Sequence, residues 1–465
     1  MKIIKFKTFF PILAFLSLSL CSEKFITINC VLHIHSNYSG SKYTIEEIVE
    51  LCKKNNIDAV VLTDHYLQKV EFGLWPFRGS LKKSVSLASV MKIGLEKYIN
   101  EIDKVNSKQK NVILIPGVEV TPHYFWSTQY EKNELIINNL HKHMLIIADD
   151  KNFYINLPVI NNENINKVKI LYLWPLVVLL AGVILKLKTI IFFSLILLAI
   201  NYPFKYYQYH QYKNFVEKPY QNLIDYVNNL TQIKDSNYII IWAHPEACNY
   251  EKKFLIKSYK KLKIYTQTKP YYDSLIKTYN YDGFSIFPEG YRKIGNICGI
   301  WDFLLTEYCQ GKRKKPIFCY SELDFGETID PINIRKNVLY VEEKNYKNIV
   351  SALKNGNFYS LWCSEDEELI LKNFKFCNKE RIWGNKYKID DNIISIDFEI
   401  VTSTNKNLLT KIYIIRNNNV VLQKEITTPA KITFKEQKPK EMSYYRIYIE
   451  SKYPHKIATN PIFVE

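Results

Sequence analysis

Short apolar runs rich in β-branched residues recur along the chain, at Ile26–His35, Ala59–His65, Val112–Val120, His143–Ala148, Tyr238–His244, Gly283–Phe287 and Pro316–Tyr320. Their length and composition predict buried strands. Helical patterns lie between them, and the clearest runs from Thr44 to Lys54, with Thr44 as N-cap and Glu47 at the capping-box position. Leu87–Val105 reads as a long helix, and Tyr220–Leu230 as another after Pro219. Seven runs joined by helices predict a βα barrel or a doubly wound sheet. From Val338 onward the pattern changes to short alternating strands: Val338–Glu342, Ile370–Phe376, Ile393–Val401, Leu409–Ile415, Val420–Glu425, Ile432–Phe434, Tyr444–Glu450 and Pro461–Val464. Residues 338–465 are therefore expected to form an all-β sandwich.

Two stretches are apolar without period. Met1–Lys7 is basic and Thr8–Leu20 is apolar, which reads 1–21 as a signal peptide or N-terminal anchor. Ile170–Leu185 carries no charge, Lys186 and Lys188 follow, and Thr189–Ile200 is again apolar. Either half is short for a membrane span of about 20 residues. Together they predict a membrane hairpin inserted over 166–213, its lysines at the tip and Tyr202, Phe204, Tyr206, Tyr207 and Tyr209 at headgroup level. The other reading of this run is a helical hairpin buried in the domain. The chain is expected to be membrane-associated, with residues 22–337 an extracytoplasmic (periplasmic or cell-surface) barrel.

Composition adds bounds. With 465 residues, 47% of them hydrophobic, the chain has room for two or three domains with a sizeable core. Its net charge of +17 reflects lysines spread over the whole length. The tightest cluster is Lys312–Lys315 and no nucleic-acid motif accompanies it, so no nucleic-acid partner is expected. Nine cysteines lack CxxC or zinc-finger spacing, which excludes those scaffolds.

The candidate chemistry sits at the strand ends. His33 and His35 close the first run, and alternation along a strand points both the same way. His65 closes the second, Glu119 the third and His244 a later one, while Glu322 and Asp324 follow the last. Active sites of βα folds gather at such ends. His143 opens its strand instead, with His141 two residues earlier, and spacing alone does not choose between them. Imidazoles mixed with carboxylates suit Zn, Mn or Fe. A carboxylate among so many imidazoles can bridge two cations, lower the pKa of shared water and make hydroxide available. This predicts ester hydrolysis, most naturally of a small-molecule or envelope phosphate ester. Glu119 stands at its centre, Asp64 or Asp324 delivers the leaving-group proton, and Arg78 and Arg292 are candidate phosphate clamps. His123 is a further residue within reach.

These residues, in this order, resemble the PHP superfamily, named for polymerase and histidinol phosphatase. The likeness rests on His33-Ile-His35-Ser36, Thr63-Asp64-His65, Gly117-Val-Glu119, His143 before an apolar strand, and His244-Pro245, and it covers roughly residues 26–330. It implies a distorted seven-stranded βα barrel with phosphoesterase activity at a two- or three-metal site. By the same resemblance His33, His35, Glu119 and Glu322 hold a first metal, and Glu119, His143 and His244 a second. His65 and Asp324 match positions that serve a third. The last motif departs from the family's Asp-x-His, reading Glu322-Leu-Asp324, and Ser36–Ser41 lacks a further histidine. Two imidazoles of the third site are thus missing, and two divalent ions are expected, a third being possible. The C-terminal part is similar to a β-domain of membrane-associated PHP proteins, through Ala352–Ser360, Ile414–Asn417, Tyr445–Tyr448 and Thr459–Val464. The alternatives are a carboxyl or carbamate ester hydrolase on the same metals, and a non-catalytic, metal-stabilised module that binds the envelope.

Overall fold

The structure, a computed structural model, describes residues 25–148, 150–164, 168–204, 217–234, 237–251 and 263–465; the expected leader at 1–21 lies outside them. Seven strands carry the first part of the chain: β1 (Ile26–Ile34), β2 (Ala59–His65), β3 (Ile113–Val120), β4 (Met144–Ile147), β5 (Ile239–Trp242), β6 (Gly283–Phe287) and β7 (Phe318–Ser321). They lie side by side in the order β7-β6-β5-β4-β3-β2-β1. β1, β2 and β3 are mutually parallel, as are β5, β6 and β7. β4 is antiparallel to both its neighbours. Apolar side chains of these strands are buried on both faces, which is why each reads as a continuous apolar run rather than an alternating one.

Helices cover one face. α1 (Ile45–Lys54) starts with the anticipated capping box, Thr44 and Glu47 exchanging hydrogen bonds, and buries Ile45, Ile48, Val49 and Cys52. The long helix expected over 87–105 is shorter and later, α2 (Leu95–Lys108), because Gly94 at φ 128° separates it from a single turn at Val90–Ile93. The residues before that turn pair instead as an unforeseen two-stranded ribbon, Lys69–Gly73 with Lys82–Ser86.

The barrel expectation is corrected in one respect. β7 does not pair with β1, so the sheet curls without closing as a hydrogen-bonded barrel. The gap is bridged above the strand ends, where Leu323 and Phe325 donate backbone hydrogen bonds to Leu32 and His33, and His35 donates to Phe325. The other half of β1 pairs antiparallel with β8 (Arg335–Val341), which continues the sheet to β9 (Phe358–Trp362).

The membrane-hairpin expectation is also corrected. Residues 168–204 form two apolar helices, α3 (Trp174–Ile184) and α4 (Lys188–Asn201), packed on each other. Gly182 permits the close approach, since a Cβ there would come within 3.0 Å of Ile190. At 11 and 14 residues the helices are about 16 and 21 Å long, against a hydrocarbon core of roughly 30 Å. Among the described residues no helix is long and apolar enough to cross a membrane. The aromatics at 206, 207 and 209 lie outside the described residues. Beyond these, α5 (Lys218–Lys234) leads into β5, and α6 (Tyr346–Asn355) covers the inner face of the curl with Ile349 and Leu353.

The C-terminal region is β-rich as expected. Leu369–Phe376, Ile393–Thr402 and Ala430–Gln437 form one sheet, and Leu409–Arg416 and Ser443–Ser451 belong to the sheet it packs against. That second sheet is the main sheet itself, carried on through β8, β9 and Lys456–Thr459. The boundary expected at 338 therefore falls inside β8.

Candidate metal centre

Glu119, at the end of β3 and 2% exposed, is ringed by imidazoles. His33 Nε2 lies 3.2 Å and His244 Nε2 3.4 Å from its Oε1, which His143 Nδ1 also abuts. On its Oε2, His65 Nδ1 stands at 2.8 Å and His35 Nε2 at 3.4 Å. The five rings come from β1 and the residue after it, from β2, and from residues flanking β4 and β5. β4 explains the odd position of His143. An antiparallel strand brings its N-terminus to the end where its neighbours have their C-termini, so a histidine opening β4 joins those closing the others.

The backbone is bent to make this ring. His33 (φ 69°), His244 (φ 26°) and Asp324 (φ 55°) all occupy the left-handed region that side chains with a Cβ avoid. At His33 the pairing of β1 with β2 jumps from Leu32↔Val61 to Ile34↔Leu62, leaving His33 as the extra residue of a bulge. The two β1 histidines thus converge through a bulge and not through simple alternation, and both reach Asp324, at 3.6 and 3.3 Å.

Four of the five rings are held from behind. His33 Nδ1 pairs with Glu322 Oε2 at 2.8 Å, and His35 Nδ1 with Ser39 Oγ at 2.9 Å. His143 Nε2 pairs with the Leu140 carbonyl at 3.0 Å, and His244 Nδ1 faces the Tyr271 hydroxyl at 3.3 Å. Such partners fix tautomer and direction, leaving the other nitrogen pointed inward. Ser39 in turn donates to Asp64 Oδ1 at 2.5 Å.

Two expectations change here. Asp64 is fully buried and accepts from Ser36 N, Ser36 Oγ and Ser39 Oγ, so it stands behind His35 and does not face the reacting space as a proton carrier. Glu322, expected as a ligand, has one oxygen on His33 and the other accepting from His244 N at 2.7 Å, and it takes part in none of the ligand groups. Three groups have donor atoms mutually within 4.8 Å: His33, His35 and Asp324; His35, His65 and Glu119; Glu119, His143 and His244. His141 lines the cavity, its ring 5.8 Å from that of His143, and does not enter a group. His123, Arg78 and Arg292 do not line the cavity.

Electrostatics follow the same geometry. Burial works against charge at His33, His65, Glu119, His143 and His244. Attraction to Glu119 and Asp324 outweighs it at His33, whose pKa lies well above the ordinary imidazole value. His65 rises to about 10 through Glu119 and Glu327, and His244 to about 9 through Glu119, Glu322 and Asp324. Glu119, among His143, His65 and His33, is held well below the usual carboxylate range. His143 is pushed down, burial outweighing Glu119.

The donors fit divalent ions. His33 Nε2, His35 Nε2, His143 Nδ1 and Glu119 Oε2 are buried, face one another and make no hydrogen bond. Two ligands each about 2.1 Å from a shared tetrahedral cation stand roughly 3.4 Å apart, close to the spacings found here. Above the donors opens a cavity of about 530 Å³, whose wall also holds Glu327, 3.8 Å from His65 Nε2, and Lys69. Glu327 and Ser39 were not legible from the motifs. Their place is set by the loop after Asp324 and by the single turn Asn37–Ser39.

Such a curled α/β sheet, with histidines and carboxylates massed at one end, defines a metal-binding protein with room for a ligand above its donors. The PHP domain family matches residues 32–287, more than half of the chain, and the chain belongs to that family, as the motifs imply. The match stops short of Glu322 and Asp324. A two-domain protein from Bacteroides vulgatus containing a predicted PHP-like metal-dependent phosphoesterase is similar in structure at 11% identity, over 92% of this chain and 91% of that one, with a TM-score of 0.35. A DUF3823 family protein from Bacteroides ovatus matches 21% of this chain and 54% of its own, at 15% identity and a TM-score of 0.13. Both superpositions are loose, and the family assignment rests on the sequence match. No curated protein matches the chain.

Proposed function

We propose that this protein is a metal-dependent hydrolase of phosphate esters, held at a membrane with its site extracytoplasmic. The observation that carries the hydrolase reading is the Glu119 carboxylate, buried among five imidazoles, three of which, His33, His35 and His143, turn inward a nitrogen without a hydrogen bond. His33, His35 and Asp324 would hold one divalent cation, and Glu119, His143 and His244 a second. His35 offers one inward nitrogen, so the group it forms with His65 and Glu119 competes with the first, which favours two ions over three. Two such ions, Zn, Mn or Fe, supply Lewis acidity and water activation near neutral pH.

The chain's own residues supply orientation. Glu322, Ser39 with Asp64, Leu140 and Tyr271 hold the imidazoles in place. Asp324 and Glu327 are the carboxylates on the cavity wall besides Glu119, and the proton for the leaving oxygen passes through one of them. Water attacks phosphorus, the ester P–O bond breaks, and the alcohol leaves protonated.

Elemental analysis and turnover of nitrophenyl phosphate, on wild type and Glu119→Gln, test the reading. About two ions per chain and activity lost in the variant are expected. A wild type that rejects Zn, Mn and Fe overturns it, and turnover of nitrophenyl acetate alone would replace phosphate by a carboxyl ester. Fractionation of cells expressing the tagged chain tests its place, and recovery in the soluble cytoplasm would overturn the membrane reading.

A further inference from the structure

The helix pair α3–α4 presents an apolar surface that none of the described residues covers. Ile170 is 85%, Val177 72% and Phe193 62% exposed, and Leu180, Ile184 and Phe192 are likewise exposed. Monomeric soluble proteins rarely show a contiguous apolar patch of this kind. Residues 168–204 contain no Asp or Glu, while Lys169 lies before α3 and Lys186 and Lys188 at the turn, all three exposed. Lysines at both ends of a short apolar pair suit helices lying flat in a lipid interface, with every lysine at headgroup level. That charge complements an anionic surface.

The patch is joined to the metal centre. The ribbon Lys69–Gly73/Lys82–Ser86 has its base in the cavity wall, through Lys69, Val70 and Val85. Its tip bears Leu74, Trp75 and Leu81, exposed at 59%, 79% and 55%. The same tip meets the end of α4, where Ser80 Oγ donates to the Ala199 carbonyl at 2.6 Å and Gly79 packs on the Tyr202 backbone. Leu87, beyond the ribbon, is exposed and also lines the cavity. With Leu67, Leu140 and Ile160 it gives the cavity an apolar wall on the ribbon side, facing the charged donors. A small hydrophilic phosphate makes no use of such a wall. An ester with a hydrocarbon tail does.

Resting on the phosphoesterase reading above, we propose that the substrate is an amphiphilic phosphate ester drawn from a lipid surface, on which α3, α4 and the ribbon tip sit. Its headgroup phosphate reaches the metal centre while its apolar part stays against the ribbon and the bilayer. Water adds to phosphorus, the bond to the lipid oxygen breaks, and that oxygen leaves protonated, so a phosphatidate yields diacylglycerol and inorganic phosphate.

The test compares cation-loaded wild type with a variant carrying Val177→Asn, Leu180→Asn, Phe192→Asn and Phe193→Asn, all at exposed positions. Dioleoyl phosphatidate in phosphatidylcholine vesicles is the lipid probe and nitrophenyl phosphate the soluble one. Wild type is expected to float with phosphatidate-bearing vesicles more than with pure phosphatidylcholine. The variant is expected to lose flotation and on the order of tenfold or more in phosphatidate hydrolysis, with nitrophenyl phosphate turnover unchanged. Unchanged flotation and phosphatidate turnover in the variant overturn the proposal. So does a wild type that cleaves nitrophenyl phosphate and ignores vesicular phosphatidate, or a vesicle-free dimer that the variant abolishes, which would make a second copy the occupant. If the variant misfolds and loses both activities, wild type decides alone: equal kcat/KM on dioleoyl and water-soluble dibutyryl phosphatidate overturns the proposal, and preference for the vesicular lipid supports it. Loss of both hydrolyses in wild type would instead fail the phosphoesterase reading, while flotation still tests the docking surface.

Discussion

Glu119 stands at the electrostatic centre of the molecule. Its negative charge holds His65 near 10 and His244 near 9 against the cost of their burial. Both are raised above the ordinary 6.5, so in cation-free protein their contribution to stability is fully present below about pH 6.5 and is lost as pH rises through 9 and 10. Chelated protein should therefore melt progressively lower from pH 7 to pH 10, followed by circular dichroism. Cations need these imidazoles neutral, so binding at pH 7 must release protons. Calorimetric heats of Zn or Mn binding are expected to vary with the ionisation enthalpy of the buffer, and affinity to rise with pH. A buffer-independent heat would mean that the rings are already neutral. One residue further back, Ser39→Ala cuts the link from Asp64 to His35 and should weaken metal affinity roughly 10–100-fold with the fold retained, measured by competition with a chromogenic chelator.

At the scale of elements, the sequence announced the strands and their order but not their direction. The run before Ala148 looks like its neighbours, and no residue in it says that β4 is inverted. Only the pairing of β4 with β3 and β5 shows why His143, at its start, lies with the strand-end residues. The bulge at His33 was equally hidden, since it is a property of two strands in register. Gly117 reports the tightness of this packing. A Cβ there would stand 2.8 Å from the Leu62 carbonyl on one side and 2.9 Å from that of Ile146 on the other. Gly117→Ala is expected to cost about 1–3 kcal/mol and, by shifting β3, to reduce metal content. Denaturant melts and elemental analysis check the two effects. The ribbon escaped notice because its second strand, Lys82–Ser86, is mostly polar and exposed, with little apolar period to read.

At the scale of the whole molecule, the two parts are tied by more than a shared sheet. Arg446, on the strand Ser443–Ser451, is fully buried and binds Asp302 through Nε at 2.6 Å and through Nη2 at 2.5 Å, with Tyr444 donating to the same carboxylate. Arg446→Ala strands a buried carboxylate, and a loss of roughly 3–5 kcal/mol is expected, seen as a lower denaturation midpoint of the whole chain. A transition confined to the C-terminal region would instead show that the two parts unfold separately. This pair joins residues 144 apart, and nothing local to either marks it.

Local residue order was enough to specify strands and helices, the donor types at the strand ends and membership of the PHP domain family, because burial pattern, capping and short motifs are written within a few residues of one another. Which donors face inward was decided by the folded chain. Glu322 and Asp324 are two residues apart and chemically alike, yet one backs His33 and the other fronts it. Asp64 adjoins His65 but is claimed by two serines. Those differences are of direction and distance across the sheet, and they exist only once strands far apart in sequence have been brought together.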